Sequence, residues 1–278
     1  MKINIVIFCV ILLCITPVTA EKGKGLFSGE TLIADLDIFI GNVSDTPSYG
    51  KADEGVHTSQ DIFEWIDIGK TQLRNENWGD AEKAFLQATQ LDPANNDGWE
   101  GYLLSIRGSG DFQKLLRSSE NAAEKGPSSG PAWKYKGIAL SGLNRFKEAL
   151  PAFDMAIQAA PSDYQAMYYK GITLDSLKQY QESVDAYEQV LNINPDFARA
   201  WNNKGVALNY LGRYDEAIAA FDKAIEIEPE YTVAQTNKGK AAEEKKKKTQ
   251  AATGADIEDD SAKIRPSGTK SPVEPVTT

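Results

Sequence analysis

Five prolines, Pro93, Pro127, Pro161, Pro195 and Pro229, stand 34 residues apart, and a fixed period of that length confines the chain to a repeat architecture before any local structure is assigned. Other residue types keep the same spacing. With repeats at 62–95, 96–129, 130–163, 164–197 and 198–231, the fifth carries Trp201, Gly205, Leu208, Tyr214, Ala217, Phe221, Ala224 and Pro229 at positions 4, 8, 11, 17, 20, 24, 27 and 32. The third answers with Trp133, Gly137, Leu140, Phe146, Ala149, Phe153, Ala156 and Pro161. The fourth has Met167, Gly171, Leu174, Tyr180, Ser183, Tyr187, Val190 and Pro195, and the first has Trp65, Gly69, Trp78, Ala81, Phe85, Ala88 and Pro93. The second repeat keeps Trp99, Gly110, Phe112, Ala122 and Pro127 but carries Leu103 at position 8, Leu115 at 20 and Ser119 at 24.

Each repeat reads as two antiparallel helices. In the fifth, Asp196 is placed to cap the first helix near Ala198, Leu211-Gly212-Arg213 turns the chain, Asp215 is placed to cap the second helix, and Pro229 stops it. Trp201, Gly205 and Leu208 share one helical face, as do Ala217, Phe221 and Ala224, and these stripes are expected to meet. A helix of about 13 residues cannot bury its apolar side alone, so stability must come from stacking of neighbouring repeats. The 41% hydrophobic content is enough for such a core.

This spacing of Trp, Gly, Tyr, Ala, Phe and Pro resembles the tetratricopeptide repeat family. The resemblance implies an all-α fold, a right-handed superhelical solenoid of stacked antiparallel helix pairs. Five units and a C-terminal capping helix are expected, with disordered flanks. Positions 8 and 20 are small in the family because two helices cross closely there. Leu103 and Leu115 therefore predict a wider crossing in repeat 96–129 and a local change of curvature, with Ser119 compensating part of the added volume. After Tyr231 the pattern restarts at Asn237-Lys238-Gly239, but Gln235 stands where Trp is expected. Residues 232–250 are polar and suit a solvating final helix, with the run Lys245 to Lys248 on its wet side.

The flanks differ from the repeats. Residues 1–20 have the pattern of an export signal, with Lys2, an apolar stretch from Ile5 to Ile15 and the small-residue end Val18-Thr19-Ala20. An uncleaved N-terminal anchor is the alternative, although the stretch is shorter than the roughly 17–25 residues that span a bilayer. Secreted, periplasmic or cell-surface localisation follows. Both cysteines, Cys9 and Cys14, lie in this signal, so no disulfide is expected in the mature chain. Within 21–61, Leu32, Ile33, Leu36, Phe39 and Ile40 suit a short amphipathic helix over 30–41, though Leu32, Leu36, Ile38 and Ile40 also fit alternation. This segment is a candidate cap for the N-terminal end of the stack. Asn42-Val43-Ser44 is a glycosylation sequon. Residues 251–278 read as a disordered tail.

Little points to catalysis. The single histidine, His57, lies in a linker, and neither a phosphate-binding glycine loop nor a nucleophile elbow is present. No enzyme activity, cofactor or metal ion is expected. A formal charge of −10 argues against nucleic acid as partner.

The family resemblance implies that first-helix positions 2, 5, 6, 9, 12 and 13 line a concave surface for a peptide or partner helix. Carried across, these give Lys134, Tyr135, Ile138, Gln165, Tyr168, Tyr169, Ile172 and Asp175 from the central repeats. The fifth repeat adds Arg199, Asn202, Asn203, Val206, Asn209 and Tyr210. Asn202 and Asn203 are expected to bond a peptide backbone, with Tyr168, Tyr169 and Tyr210 as contact area. Only Lys134, Arg199 and Asn203 match the register of family members that clamp a C-terminal carboxylate, so that ligand is not expected. The predicted function is a non-catalytic adaptor for an unidentified protein or peptide outside the cytoplasm. A structural spacer of the cell envelope and a saccharide-binding protein are the alternatives.

Overall fold

In the computed structural model, residues 59–125 and 130–254 are described, and among them are eleven α-helices and no strand. A first compact unit, ending at Ile193, contains α1 (Ser59–Arg74), α2 (Trp78–Leu91), α3 (Asn96–Gly108), α4 (Phe112–Lys125), α5 (Gly130–Gly142), α6 (Phe146–Ala159), α7 (Tyr164–Ser176) and α8 (Tyr180–Ile193). A second, from Asn194, contains α9 (Ala198–Tyr210), α10 (Tyr214–Ile227) and α11 (Thr232–Gly254). Each repeat is thus a pair of helices. The export signal at 1–20, the helix expected over 30–41, Asn42, His57, Pro127 and the tail from 255 lie outside the described residues.

The turn inside each repeat is solved the same way. Position 15 is occupied by Glu76, Gly110, Asn144, Lys178 and Gly212, with φ of 57°, 77°, 60°, 61° and 72°. A left-handed residue there ends the first helix and reverses the chain. Only two are glycine, so three repeats accept a side chain where glycine is cheaper.

Small residues at position 8 have a visible cause. A Cβ on Gly69, Gly137, Gly171 or Gly205 would lie 2.6, 2.6, 2.6 or 2.7 Å from the ring of Phe85, Phe153, Tyr187 or Phe221, the aromatic at position 24 of the same repeat. The ring therefore rests on bare backbone, and Ala81, Ala149 and Ala217 at position 20 are fully buried in the same crossing. The second repeat has no such ring. Leu103, Leu115 and Ser119 fill the space, each 0% exposed, and α3 and α4 pack less extensively than the paired helices of the other repeats. That is the direction expected from the two enlarged residues.

Contacts between repeats set the layers of the first unit. Within the first unit the first helices α1, α3, α5 and α7 each pack backbone to backbone on the next, and each second helix packs on the first helix that follows it, whereas second helices α2 and α4 are bridged by long side chains, Lys114 with Glu82 at 2.7 Å. Closer approach in the first-helix layer puts that layer on the inner side of the unit. Ion pairs tie successive repeats along the outside: Lys136 with Glu120 at 3.1 Å and Lys170 with Asp154 at 2.7 Å. Within the second unit Lys238 and Asp222 repeat the tie at 2.6 Å.

Two expected caps are corrected. The residue before α9 is Phe197 and that before α10 is Arg213, and neither makes a side-chain cap bond. Asp215 lies within the first turn of α10, where it favours the helix dipole, and its carboxylate takes a charge-assisted bond from Lys245 of α11. Side-chain capping occurs elsewhere, at Asn95 before α3 and Asp163 before α7. The final helix runs through Gly254, four residues beyond the expected 250.

Candidate functional site

The tryptophans at position 4 are packing residues. Trp99 Nε1 donates to the Pro93 carbonyl at 2.9 Å, and Trp201 Nε1 donates to the Pro195 carbonyl at 2.8 Å. Each indole thereby occupies the carbonyl that the repeat-ending proline leaves at a helix terminus. Gln235, in the tryptophan position after the fifth repeat, uses its amide Nε2 for the same bond to Pro229 at 2.7 Å. The substitution keeps the donor and discards the ring.

On the inner face of the first unit, the predicted binding residues separate into a polar cleft and an apolar floor. The cleft has a volume of about 450 Å³ and is lined in part by Lys70, Asp97, Glu100, Lys134, Asp163 and Gln165. Lys134 is 2% exposed. Its ammonium group donates to Glu100 at 2.6 Å and Gln165 Oε1 at 2.8 Å, and lies 3.1 Å from Asp163. Burial alone would lower the Lys134 pKa, but Glu100 and Asp163 more than offset it and raise it above the ordinary lysine value. Lys134 therefore stays charged and binds three successive repeats together instead of offering its charge to a carboxylate ligand. Glu100 and Lys134 share position 5 of adjacent repeats, opposite charges 34 residues apart. That spacing was visible in the sequence but was not read as an internal pair.

The floor is deeper. Tyr135, Tyr168 and Tyr169 are 2%, 4% and 1% exposed, so the contact area expected of Tyr168 and Tyr169 is turned into the protein. Tyr169 stacks on Phe153 with centroids 6.5 Å apart, and the Arg107 guanidinium lies 5.0 Å from the Tyr169 ring centre. Burial raises the pKa of both Tyr135 and Tyr169, so these phenols stay neutral. Asp175 accepts from the hydroxyls of Ser183 and Tyr187, the latter at 2.7 Å. Burial pushes its carboxyl up to about 6, with both hydroxyl bonds opposing the rise. Asp175 is thus the internal partner of the two polar residues by which repeat four departs from the Ala and Phe of its neighbours.

In the second unit, α9 holds Arg199, Asn202, Asn203, Asn209 and Tyr210. Asn202 is buried, donates to Asn203 Oδ1 at 3.1 Å and accepts from Asn237 of α11 at 3.0 Å. Its amide is committed to joining α9 and α11. Arg199, Asn203 and Asn209 are half-buried, and Tyr210 is 65% exposed. The Asn209 Oδ1 atom has no hydrogen-bond partner.

No group of three or more histidine, cysteine or carboxylate side chains suited to a metal ion occurs among the described residues. No described helix is long and apolar enough to cross a membrane.

Sequence models of the tetratricopeptide repeat match residues 66–130, 135–195 and 198–231. The chain belongs to the tetratricopeptide repeat family. Solved structures share the fold. The Cut9–Hcn1 hetero-tetramer of the APC/C is 18% identical with a TM-score of 0.59, over 68% of this chain and 38% of that one. A tetratricopeptide repeat protein of Thermus thermophilus is 16% identical with a TM-score of 0.55, over 65% of this chain and 98% of that one. Another, from Parabacteroides merdae, is 20% identical with a TM-score of 0.52, over 75% and 82% of the two chains. No curated protein matches the sequence. Tetratricopeptide repeats are in general scaffolds that bind peptides or protein partners.

Proposed function

We propose that this tetratricopeptide repeat chain is a non-catalytic adaptor, exported by residues 1–20, that holds a peptide or partner helix on its first-helix faces. One observation carries the reading most directly. On α9 Tyr210 is exposed, and its neighbour in sequence, Asn209, has an amide oxygen that lacks a hydrogen-bond partner. An acceptor left unsatisfied away from water costs about 1–3 kcal/mol, so a rotation of the Asn209 side chain that brings it to the surface and to a donor is favoured. Tyrosine is among the residues enriched at binding hot spots.

Affinity capture with residues 21–278 from the envelope fraction of the source cell tests the adaptor function. A variant carrying Asn209→Ala and Tyr210→Ala is expected to lose the captured partner while keeping its helicity and melting temperature. Capture that survives the double change removes α9 as the binding face. Recovery of the chain from the cytoplasm, with residues 1–20 still attached, contradicts the exported location.

A further inference from the structure

Each of the five repeats follows its first helix with a left-handed residue at position 15, but the final helix has no such stop. Position 15 after the fifth repeat is Lys246, and α11 runs straight through it to Gly254. The first helices α1, α3, α5, α7 and α9 all end at position 13, so α11 from Lys245 onward is an extension with no counterpart in the repeats. From Ala242 to Ala251 every residue is exposed. A helix that is polar all round gains nothing from packing, and this one also concentrates charge. Residues 245–251 hold four lysines and no carboxylate, in a chain whose formal charge is −10.

The extension lies against the turn between α9 and α10, across a cleft of about 440 Å³. Lys245 bonds Asp215, and the Lys248 ammonium lies 5.5 Å from the Tyr214 ring centre and 3.8 Å from where a Cβ on Gly212 would be. Beside Gly212 stands Leu211, an apolar side chain that is 37% exposed. Residues 211–216 and 245–251 together carry five cations, Arg213 and the four lysines, against two carboxylates, Asp215 and Glu216. Both carboxylates are taken up within this edge, Asp215 by Lys245 and Glu216 by the Arg213 guanidinium at 2.7 and 2.6 Å. Lys247 bonds Glu244 at 2.7 Å. Lys246 and Lys248 make no ion pair among the described residues.

We propose that this edge of the second unit, the turn between α9 and α10 together with the α11 extension, docks on an anionic lipid surface. Charge complementarity calls for an anionic partner, and the placement of the cations favours a bilayer over an acidic protein. Successive helical residues point about 100° apart, so Lys245 and Lys248 lie toward the turn while Lys246 and Lys247 lie away from it. A folded protein offers one face and meets part of such a ring. Lipid headgroups close around a helix end and meet all of it. Lysine stems are apolar and keep their charge among headgroups as the backbone approaches, and Leu211 adds an apolar contact next to them. The rest of the chain is acidic and is repelled by the same surface, which confines attraction to this edge. Asn209 and Tyr210, on the inner face of α9, take no part in it.

The test is sedimentation of residues 21–278, which include every described residue, with lipid vesicles. Vesicles of equal parts phosphatidylcholine and phosphatidylglycerol are expected to carry the chain down at low salt, and phosphatidylcholine alone to leave it in solution. Raising the salt is expected to release it. Lys246→Gln with Lys248→Gln removes two cations that bond no carboxylate, so melting should be unchanged while partition onto the anionic vesicles falls about thirtyfold. Lys83→Gln with Lys147→Gln makes the same change of charge in the first unit and is expected to leave partition as it was. Equal binding to both kinds of vesicle, binding to neither, or unchanged partition in the Lys246 and Lys248 variant overturns the proposal. Soluble polyglutamate that binds as tightly as the vesicles also overturns it, because an acidic protein is then the occupant. So does self-association without lipid that the same variant abolishes, because the occupant is then a second copy. The variant is expected to capture a protein partner as the parent does, so a failure on vesicles is distinguishable from a failure of the adaptor reading.

Discussion

At the scale of single residues, the repeat signature is a set of paired volumes. Gly137 exists because Phe153 lies where its Cβ would be, 2.6 Å away. Gly137→Ala forces the ring or the helix to shift in a core with no spare room, and is expected to cost about 1–3 kcal/mol, read as a lowered midpoint in urea unfolding. Gly79, with nothing near its missing Cβ, is the control, and its change to Ala should leave the midpoint the same or higher. Asp175 provides a prediction in pH. Its carboxyl is raised to about 6 in the folded chain, against an ordinary 3.8. A carboxyl so raised contributes stability that is fully present below about 3.8 and lost as pH rises through about 6. Asp175→Asn is expected to abolish that contribution, so the stability difference between parent and variant should change between pH 4 and 7 and be flat above it. A constant difference across that range contradicts the burial of Asp175 as an acid.

At the scale of helices, most of the fold was legible because position, period and partner coincide. The 34-residue period, the glycine and aromatic pairs and the proline stops gave each repeat its two helices. Even the disordered logic of repeat two was readable, since Leu103, Leu115 and Ser119 change volume in opposing directions. The inner face was less legible. Family register assigned Tyr168 and Tyr169 to it, but register says nothing about depth, and both side chains are buried. Asn202 was similarly readable as a polar residue but not as the partner of Asn237, because the pairing crosses into a helix whose sequence pattern has faded. The caps at Asp196 and Asp215 failed because a cap depends on backbone angles at one residue, and the turn places Phe197 and Arg213 there instead. One helix carries an evident cost: Pro151 lies within α6 on its exposed side, where it removes a backbone donor. Pro151→Ala is expected to stabilise the chain by about 1–3 kcal/mol, seen as a higher melting temperature with unchanged structure. A lower melting temperature would mean that the ring packs usefully.

At the scale of the molecule, the tetratricopeptide repeats supply two kinds of surface. Second helices present an outer side whose salt bridges are exposed and worth little individually. First helices present the side on which polar, aromatic and apolar groups gather, the side proposed to hold the partner. Lys134, Asn202 and Asp175 show why charge and amide content alone are poor guides to that partner: each is already satisfied inside the protein. The surface left open to solvent on α9 lies at Tyr210, which is 65% exposed. The two surfaces can be separated in one experiment. Tyr210 is 65% exposed on a first helix and Met155 is 43% exposed on a second, and both react readily with hydroxyl radicals. Labelling of the mature chain with and without its captured partner is expected to show Tyr210 protected and Met155 unchanged; protection of Met155 with Tyr210 still reactive would contradict binding on the first-helix face.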